Sequence, residues 1–237
     1  MKKILITIAI LALCFPVLSM AQRDNPKDIE KIEFIHYKKG TVKDNPARAV
    51  KDPACYGFLT KRGVKWTTLP VEYFIDPSNS EGLTSDFVCS AFKSAATTWD
   101  NATSKTLFNN SLTGCRFTST STYGVRDDKN TIVFGSYSDP RVIAVTSIWY
   151  SQTTGLIYEF DMLYNSAFAW GNAASSTALM DLQNIATHEL GHAIGLDDMY
   201  NSACDQVTMY GYSSEGDLLR RTLATPDITG LQKLYGN

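Results

Sequence analysis

Residues 188–198 read HELGHAIGLDD, and this stretch gathers the side chains best suited to chemistry. Residues four apart on a helix share a face, so His188 and His192 can both offer a ring nitrogen to one metal ion. Glu189 then lies about 100° round the helix, beside that ion. Gly191 and Gly195 flank the second histidine, and a glycine at a helix end can enter the left-handed conformation that reverses the chain. That reversal would bring Asp198 back toward the histidines. The chain has 3 histidines in all, so no further imidazole in this segment completes the set. Asp198 is the simplest third ligand. Adjacent Asp197 is the alternative, but the spacing favours Asp198 and leaves Asp197 to hydrogen-bond backbone near the turn. Zinc accepts a carboxylate oxygen at about 2.0–2.2 Å, much as it accepts imidazole nitrogen. Two neutral rings and one carboxylate leave a zinc site about one unit positive, against about two for three rings, which implies a less acidic bound water. His36 lies far upstream in a charged segment with no partner at metal-ligand spacing, and it reads as solvated.

The elements that must position these groups are legible as patterns. Pro70 to Ile75 alternates and ends in Asp76-Pro77, a strand followed by a turn. Thr84 or Ser85 can cap a helix whose apolar stripe is Val88, Ala91, Phe92, Ala95 and Trp99. Thr131 to Phe134, Val142 to Trp149 and Leu156 to Leu163 read as strands, the last two joined around Thr153-Thr154-Gly155. Ser176 is the expected cap of a second long helix that carries His188 and His192 at its end. Thr225-Pro226-Asp227 opens a last helix, with proline at its first position and a carboxylate favoured by the helix dipole.

The metal segment resembles the zinc-binding consensus of the metzincin metallopeptidases, and most of all their matrixin branch. Val207-Thr208-Met209-Tyr210-Gly211-Tyr212 follows at the distance of the metzincin methionine turn, and Thr225 to Gly236 is similar to the closing helix of a matrixin catalytic domain. Matrixins use a third histidine and hold a second, structural zinc through further histidines. This chain lacks them, so one zinc is expected, and an Asp third ligand is similar to the snapalysin type. The resemblance implies an α+β fold: a mixed twisted sheet of about five strands with an antiparallel edge strand, an active-site helix, the Met209 turn and a C-terminal helix.

The resemblance also implies an activity, that of a zinc endopeptidase acting on peptides or proteins. In it, His188, His192 and Asp198 hold zinc, and Glu189 is the general base for a zinc-activated water. The alternative is a secreted zinc-binding protein of the same fold without catalysis; a hydrolase of another bond, such as an amidase, is a further one. Val142 to Thr146, with Ile143 and Ala144, takes the place of the edge strand along which an extended substrate would lie, beside the reading of an interior strand. Tyr210 and Tyr212 are expected to wall the pocket for the side chain after the scissile bond. Gly191 costs roughly 1 kcal/mol against alanine in mid-helix, which points to close packing against Met209. Asp161 sits where matrixins place a calcium carboxylate, so Ca2+ is a second candidate ion. Asp227 occupies the position that can receive a trimmed N-terminal ammonium.

The start of the chain resembles an export signal. Met1-Lys2-Lys3 precedes an apolar run to Leu18, and Ser19-Met20-Ala21 supplies small residues for cleavage, so residues 1–21 read as a signal peptide and the protein as secreted or extracytoplasmic. Residues 22–54 are charged and carry Pro26, Pro46 and Pro53, which suggests a flexible segment or short propeptide. Residues 55–237 form the expected catalytic domain, long enough for one sizeable core. Without the signal, 20 basic residues face 24 acidic ones, which argues against nucleic acid as a partner. No later run approaches the ~20 apolar residues of a membrane span. A monomer is expected.

Four cysteines remain beyond the signal, and in an exported protein they read as two disulfides with three connectivities open. The favoured arrangement pairs Cys89 with Cys115, and Cys55 with Cys204. A zinc-capping thiolate at Cys55 is the alternative, since Pro53 to Gly57 faintly resembles the matrixin cysteine switch without its arginine.

Overall fold

The protein is described from a computed structural model covering residues 28–41, 54–110 and 122–237. Its elements run β1 (Glu30–Lys38), β2 (Phe74–Ile75), α1 (Ser85–Asp100), β3 (Thr131–Gly135), β4 (Val142–Ser151), β5 (Leu156–Asn165), β6 (Trp170–Gly171), β7 (Met180–Asp181), α2 (Leu182–Ala193), β8 (Tyr212–Ser213) and α3 (Thr225–Tyr235). The main sheet has six strands in the order β2-β3-β5-β4-β1-β8. β2, β3 and β5 are parallel, β4 runs antiparallel to β5, and β1 lies antiparallel along the other side of β4. The short β8 closes the row, parallel to β1. This mixed sheet with three helices is the expected α+β architecture, with one strand more than expected.

The long strand that the sequence did not suggest is β1. Residues 22–54 were expected to be flexible, yet Glu30–Lys38 is built into the sheet with a continuous register to β4 from Glu30 opposite Tyr150 to His36 opposite Ala144. The sequence hides it because Ile32, Phe34 and His36, which share one face, are set among Lys31, Glu33, Lys38 and Lys39. The signal segment 1–21 lies outside the described residues.

Burial accounts for the middle of the sheet. Every residue of β4 is buried, and its Val, Ile, Thr, Trp and Tyr content suits a strand covered on both faces. α1 begins where expected: the Thr84 hydroxyl accepts the Phe87 N–H, and Val88, Phe92, Ala95 and Trp99 form the buried stripe. It packs on α2, with the Trp99 indole N–H donating to the Thr187 carbonyl at 2.7 Å. α2 starts at Leu182, later than the Ser176 cap suggested. Residues 176–179 turn instead, Met180–Asp181 pairs with Trp170–Gly171, and Asp181 is the cap, its side chain accepting the Asn184 N–H at 2.8 Å. The expected strand from Pro70 shrinks to Phe74–Ile75, since Pro70 has no N–H to give a ladder.

The far end of α2 is buried, so its last carbonyls need partners. The Trp66 indole N–H donates to Ala193 and the Tyr235 hydroxyl to Ile194, at 2.7 and 3.1 Å. Gly195 then takes φ +100°, and a side chain there would meet the Val64 carbonyl at 2.2 Å. Cys55 and Cys204 are joined as a disulfide, with Cα atoms 5.3 Å apart, which leaves no thiolate to cap a metal. The Cys89–Cys115 pairing involves Cys115, which lies outside the described residues.

Asp161, on β5 beside Thr131 of β3, accepts the Thr131 N–H at 3.0 Å and the Gly124 N–H at 2.7 Å, so each oxygen already has a backbone donor. Burial pushes its carboxyl up to about 7, against those hydrogen bonds. A carboxyl raised by folding contributes stability that is present below its unfolded pKa, near 3.8, and lost as pH rises through about 7. The melting temperature of the wild type minus that of Asp161→Asn should therefore fall steadily from pH 4 to pH 7. A difference that is flat or rises across this range would contradict the assignment.

Candidate active site

His188 and His192 lie one helical turn apart on α2, both buried, and Gly195 reverses the chain so that Asp198 returns to them. Three atoms converge: His188 Nε2 and His192 Nε2 are 3.1 Å apart, and Asp198 Oδ1 lies 3.2 and 3.4 Å from them. A tetrahedral zinc with bonds of about 2.0–2.1 Å would hold its ligands about 3.3 Å from one another, so these atoms outline one face of such a tetrahedron. Asp198 Oδ1 is buried and has no hydrogen-bond partner. The donor set fits a zinc ion.

The orientation of each ring is fixed from behind. His188 Nδ1–H donates to the Thr208 carbonyl at 2.8 Å, and His192 Nδ1–H to the Leu196 carbonyl at 2.9 Å. With Nδ1 protonated in each ring, both Nε2 lone pairs point into the site. Two lone pairs and a carboxylate oxygen cannot sit this close without a positive charge between them. The charges act on the rings in opposite directions: although burial pulls imidazoles down, Asp198 raises His192 to about 9, while burial and neighbouring His36 bring His188 to about 4. Burial works to raise Asp198, but the two histidines hold it well below the usual carboxylate range. Asp197, the alternative ligand, instead accepts the Asp198 N–H at 2.8 Å.

Glu189 is fully buried beside this trio, and burial raises its carboxyl. Both its oxygens are occupied: the Thr146 hydroxyl from β4 donates to Oε2, and His36 Nδ1 lies 3.1 Å from Oε1. His36 is thus not solvated. It is 1% exposed, its ring centroid lies 4.0 Å from that of His188, and Phe34 stacks on His192 at 4.0 Å with 11° between the planes. β1 brings both side chains in, because residues two apart on a strand face the same side.

The Met209 turn passes beneath the site. Asp227, at the start of α3, accepts the Thr208 N–H and Ala224 N–H on one oxygen and the Met209 N–H on the other, at 2.8–3.1 Å. It is buried and committed to the turn, not placed to receive a chain terminus. A Cβ on Gly191 would fall 2.2 Å from the Met209 sulfur and 2.8 Å from Trp99, so only glycine lets helix and turn approach this closely.

The remaining expected residues lie around this centre. Ala144 is paired with His36 across the β4 edge, and Ile143 sits at the irregularity in that pairing. Tyr212 in β8 pairs with Tyr37 of β1, and the Tyr210 and Tyr212 rings lie 5.6 Å apart. Among the described residues, the groups able to hold a metal are His188, His192 and Asp198, and His36, His188 and Glu189. Asp161 is in neither. Sequence reasoning missed Thr146, Tyr200, Phe34 and His36. Tyr200 donates its hydroxyl to Asp198 Oδ2 at 2.8 Å, leaving Oδ1 to face the histidines. A tyrosine two residues after a ligand carries no sequence signal, whereas the strand-like Ile32 to Tyr37 could have pointed to β1.

Two substitutions probe this framework. Tyr200→Phe should weaken zinc binding by about 10- to 100-fold in competition with a chelator while the fold is retained. Gly191→Ala should cost about 1–3 kcal/mol in denaturant melts. Its cost should couple to Met209→Ala by at least about 0.5 kcal/mol in a double-mutant cycle, and simple additivity would contradict the contact.

A family model described as matrixin matches residues 65–236. Stromelysin-1 of Mus musculus is 47% identical over 53 residues, which is 22% of this chain and 10% of that protein. Metalloendoproteinase 5-MMP of Arabidopsis thaliana is 40% identical over 60 residues, 25% of this chain and 16% of that protein. The matched stretches therefore span only 10% and 16% of those relatives. The family model, in contrast, takes in most of this chain, from just after the disulfide-bonded Cys55 through the whole of α3, and on that extent the protein belongs to the matrixin family.

Proposed function

We propose that this protein is a secreted zinc-dependent endopeptidase that cuts peptide bonds in extended chains. The observation that carries the reading is a buried carboxylate, Glu189, standing beside three donor atoms spaced as the face of a zinc tetrahedron. A zinc ion held by His188, His192 and Asp198 would supply Lewis-acid polarisation of a carbonyl and lower the pKa of water from about 15.7 toward 7. Glu189 acts as general base, taking the proton of the attacking water and passing it to the leaving amine. Burial raises its carboxyl, which brings its proton affinity closer to that task. Thr146 holds Oε2 and so fixes the carboxylate plane, which keeps Oε1 as the working oxygen.

The substrate chain would lie along the side of β4 that β1 pairs in this structure, where, once β1 is out of the way, backbone N–H and C=O groups near Ile143 and Ala144 can pair with it as an added strand. Tyr210 and Tyr212 wall the pocket beside it. Export is supported by the signal-like residues 1–21 and by the Cys55–Cys204 disulfide, a bond at home in oxidising compartments. A purely structural zinc site would have no use for a buried carboxylate beside it, which weighs against the non-catalytic alternative.

Purified protein incubated with a diverse peptide mixture and read by mass spectrometry tests the activity. Chelator-sensitive cuts are expected, absent from Glu189→Ala, which should still bind zinc. Asp198→Ala should lose both zinc and cleavage. Zinc-loaded, folded protein that cuts nothing when its groove is open, or Asp198→Ala that keeps full zinc affinity, would overturn the corresponding part of the proposal.

A further inference from the structure

The groove beside the metal-ligand trio is filled by the chain itself. β1 runs between β4 and β8 and pairs with both: Phe34 lies opposite Thr146, His36 opposite Ala144, and Tyr37 opposite Tyr212. Backbone bonds continue past its end, from the Lys38 N–H to the Arg141 carbonyl at 2.9 Å and from the Lys39 N–H to the Ser213 carbonyl at 2.8 Å. Lys38 also pairs with Glu215 at 2.7 Å. The side chains that β1 turns inward meet the working residues. Phe34 covers the His192 ring, His36 covers the His188 ring, and His36 Nδ1 takes Glu189 Oε1, the oxygen that Thr146 leaves open. His36 Nε2 is buried with no hydrogen-bond partner, an arrangement that packing alone does not favour.

We propose that the β4–β8 groove is a binding site for an extended peptide strand and that β1 is its built-in occupant, a pseudosubstrate that holds the enzyme latent. This rests on the peptidase reading above. β1 lies where a substrate backbone would pair, and His36 denies Glu189 to water. The strand is also a template for ligands of the groove: a β-strand with an aromatic residue against His192 and, two residues on, a planar hydrogen-bond donor against Glu189. Latency here needs no thiolate, and Cys55 is already committed to Cys204.

The test compares the full chain with its Phe34→Ala/His36→Ala variant, both loaded with zinc, with Glu189→Ala as blank. The variant should bind the same amount of zinc, cut the peptide mixture at least tenfold faster, and bind a peptide hydroxamate at least tenfold more tightly. Hydrogen exchange should show the wild type losing protection at residues 30–38 when the hydroxamate binds. Equal hydroxamate affinity in the two proteins, or wild-type β1 that stays protected with the probe bound, overturns the occupancy, even if both proteins cut peptides. A variant that binds the probe more tightly yet cuts nothing supports the occupancy and removes the peptidase reading instead.

Discussion

Three electron-rich atoms held within 3.4 Å of one another in a buried site are the constraint on which the rest of this protein depends. Such a convergence is costly unless a cation sits among the atoms and every other polar group nearby is already satisfied. For the two histidine rings that offer Nε2 to the site, the structure meets the second condition by linking distant parts of the chain. Asp227 on α3 takes the Thr208 N–H, and the Thr208 carbonyl takes the Nδ1 proton of His188. Thr208 thus connects the last helix to the His188 ring. The Leu196 carbonyl takes the Nδ1 proton of His192, and its position is set by the turn at Gly195. The closing helix and the methionine turn are parts of one scaffold for imidazole orientation.

Much of this was legible in the sequence because it was local. The i, i+4 histidines, the two glycines and the following aspartates lie within one short stretch, so helix geometry and one reversal suffice to bring them together. The stripe of α1 from Val88 to Trp99 was legible for the same reason, being periodic and capped by Thr84. Asp227 was legible as a helix-start residue but not in its role, since its partners at Thr208 and Met209 are supplied by tertiary packing. Tyr200 falls in the same class. The late start of α2 had no warning either, because the pairing of Met180–Asp181 with Trp170–Gly171 is not a local propensity.

His36 is the clearest lesson. Spacing assigned it no partner, and its charged neighbours suggested solvent, yet it is buried against Glu189 across 153 residues of chain. Strand pairing is what makes this contact, and pairing is specified by two segments jointly. Of the charges that mislead, Lys31 and Glu33 are exposed on the other face of β1 and Lys38 and Lys39 stand at or past its end, while Phe34 and His36 face inward. Period-2 alternation over a few residues is a weaker signal than a helical repeat, and the flanking lysines mask it further.

β1 has a consequence apart from the chemistry. β4 is a strand of 10 residues, and everything it presents is apolar or aromatic apart from a threonine and two serines. Left bare on its outer side, such a strand would offer a row of unpaired N–H and C=O groups to any extended chain, including another copy of itself. β1 satisfies that row from within the same chain, and its own outer edge, which β8 pairs only at Tyr37 and Lys38, carries the exposed charges of Lys31 and Glu33, which discourage a further strand. The sheet thereby carries its own protection against intermolecular strand pairing for as long as β1 stays in place.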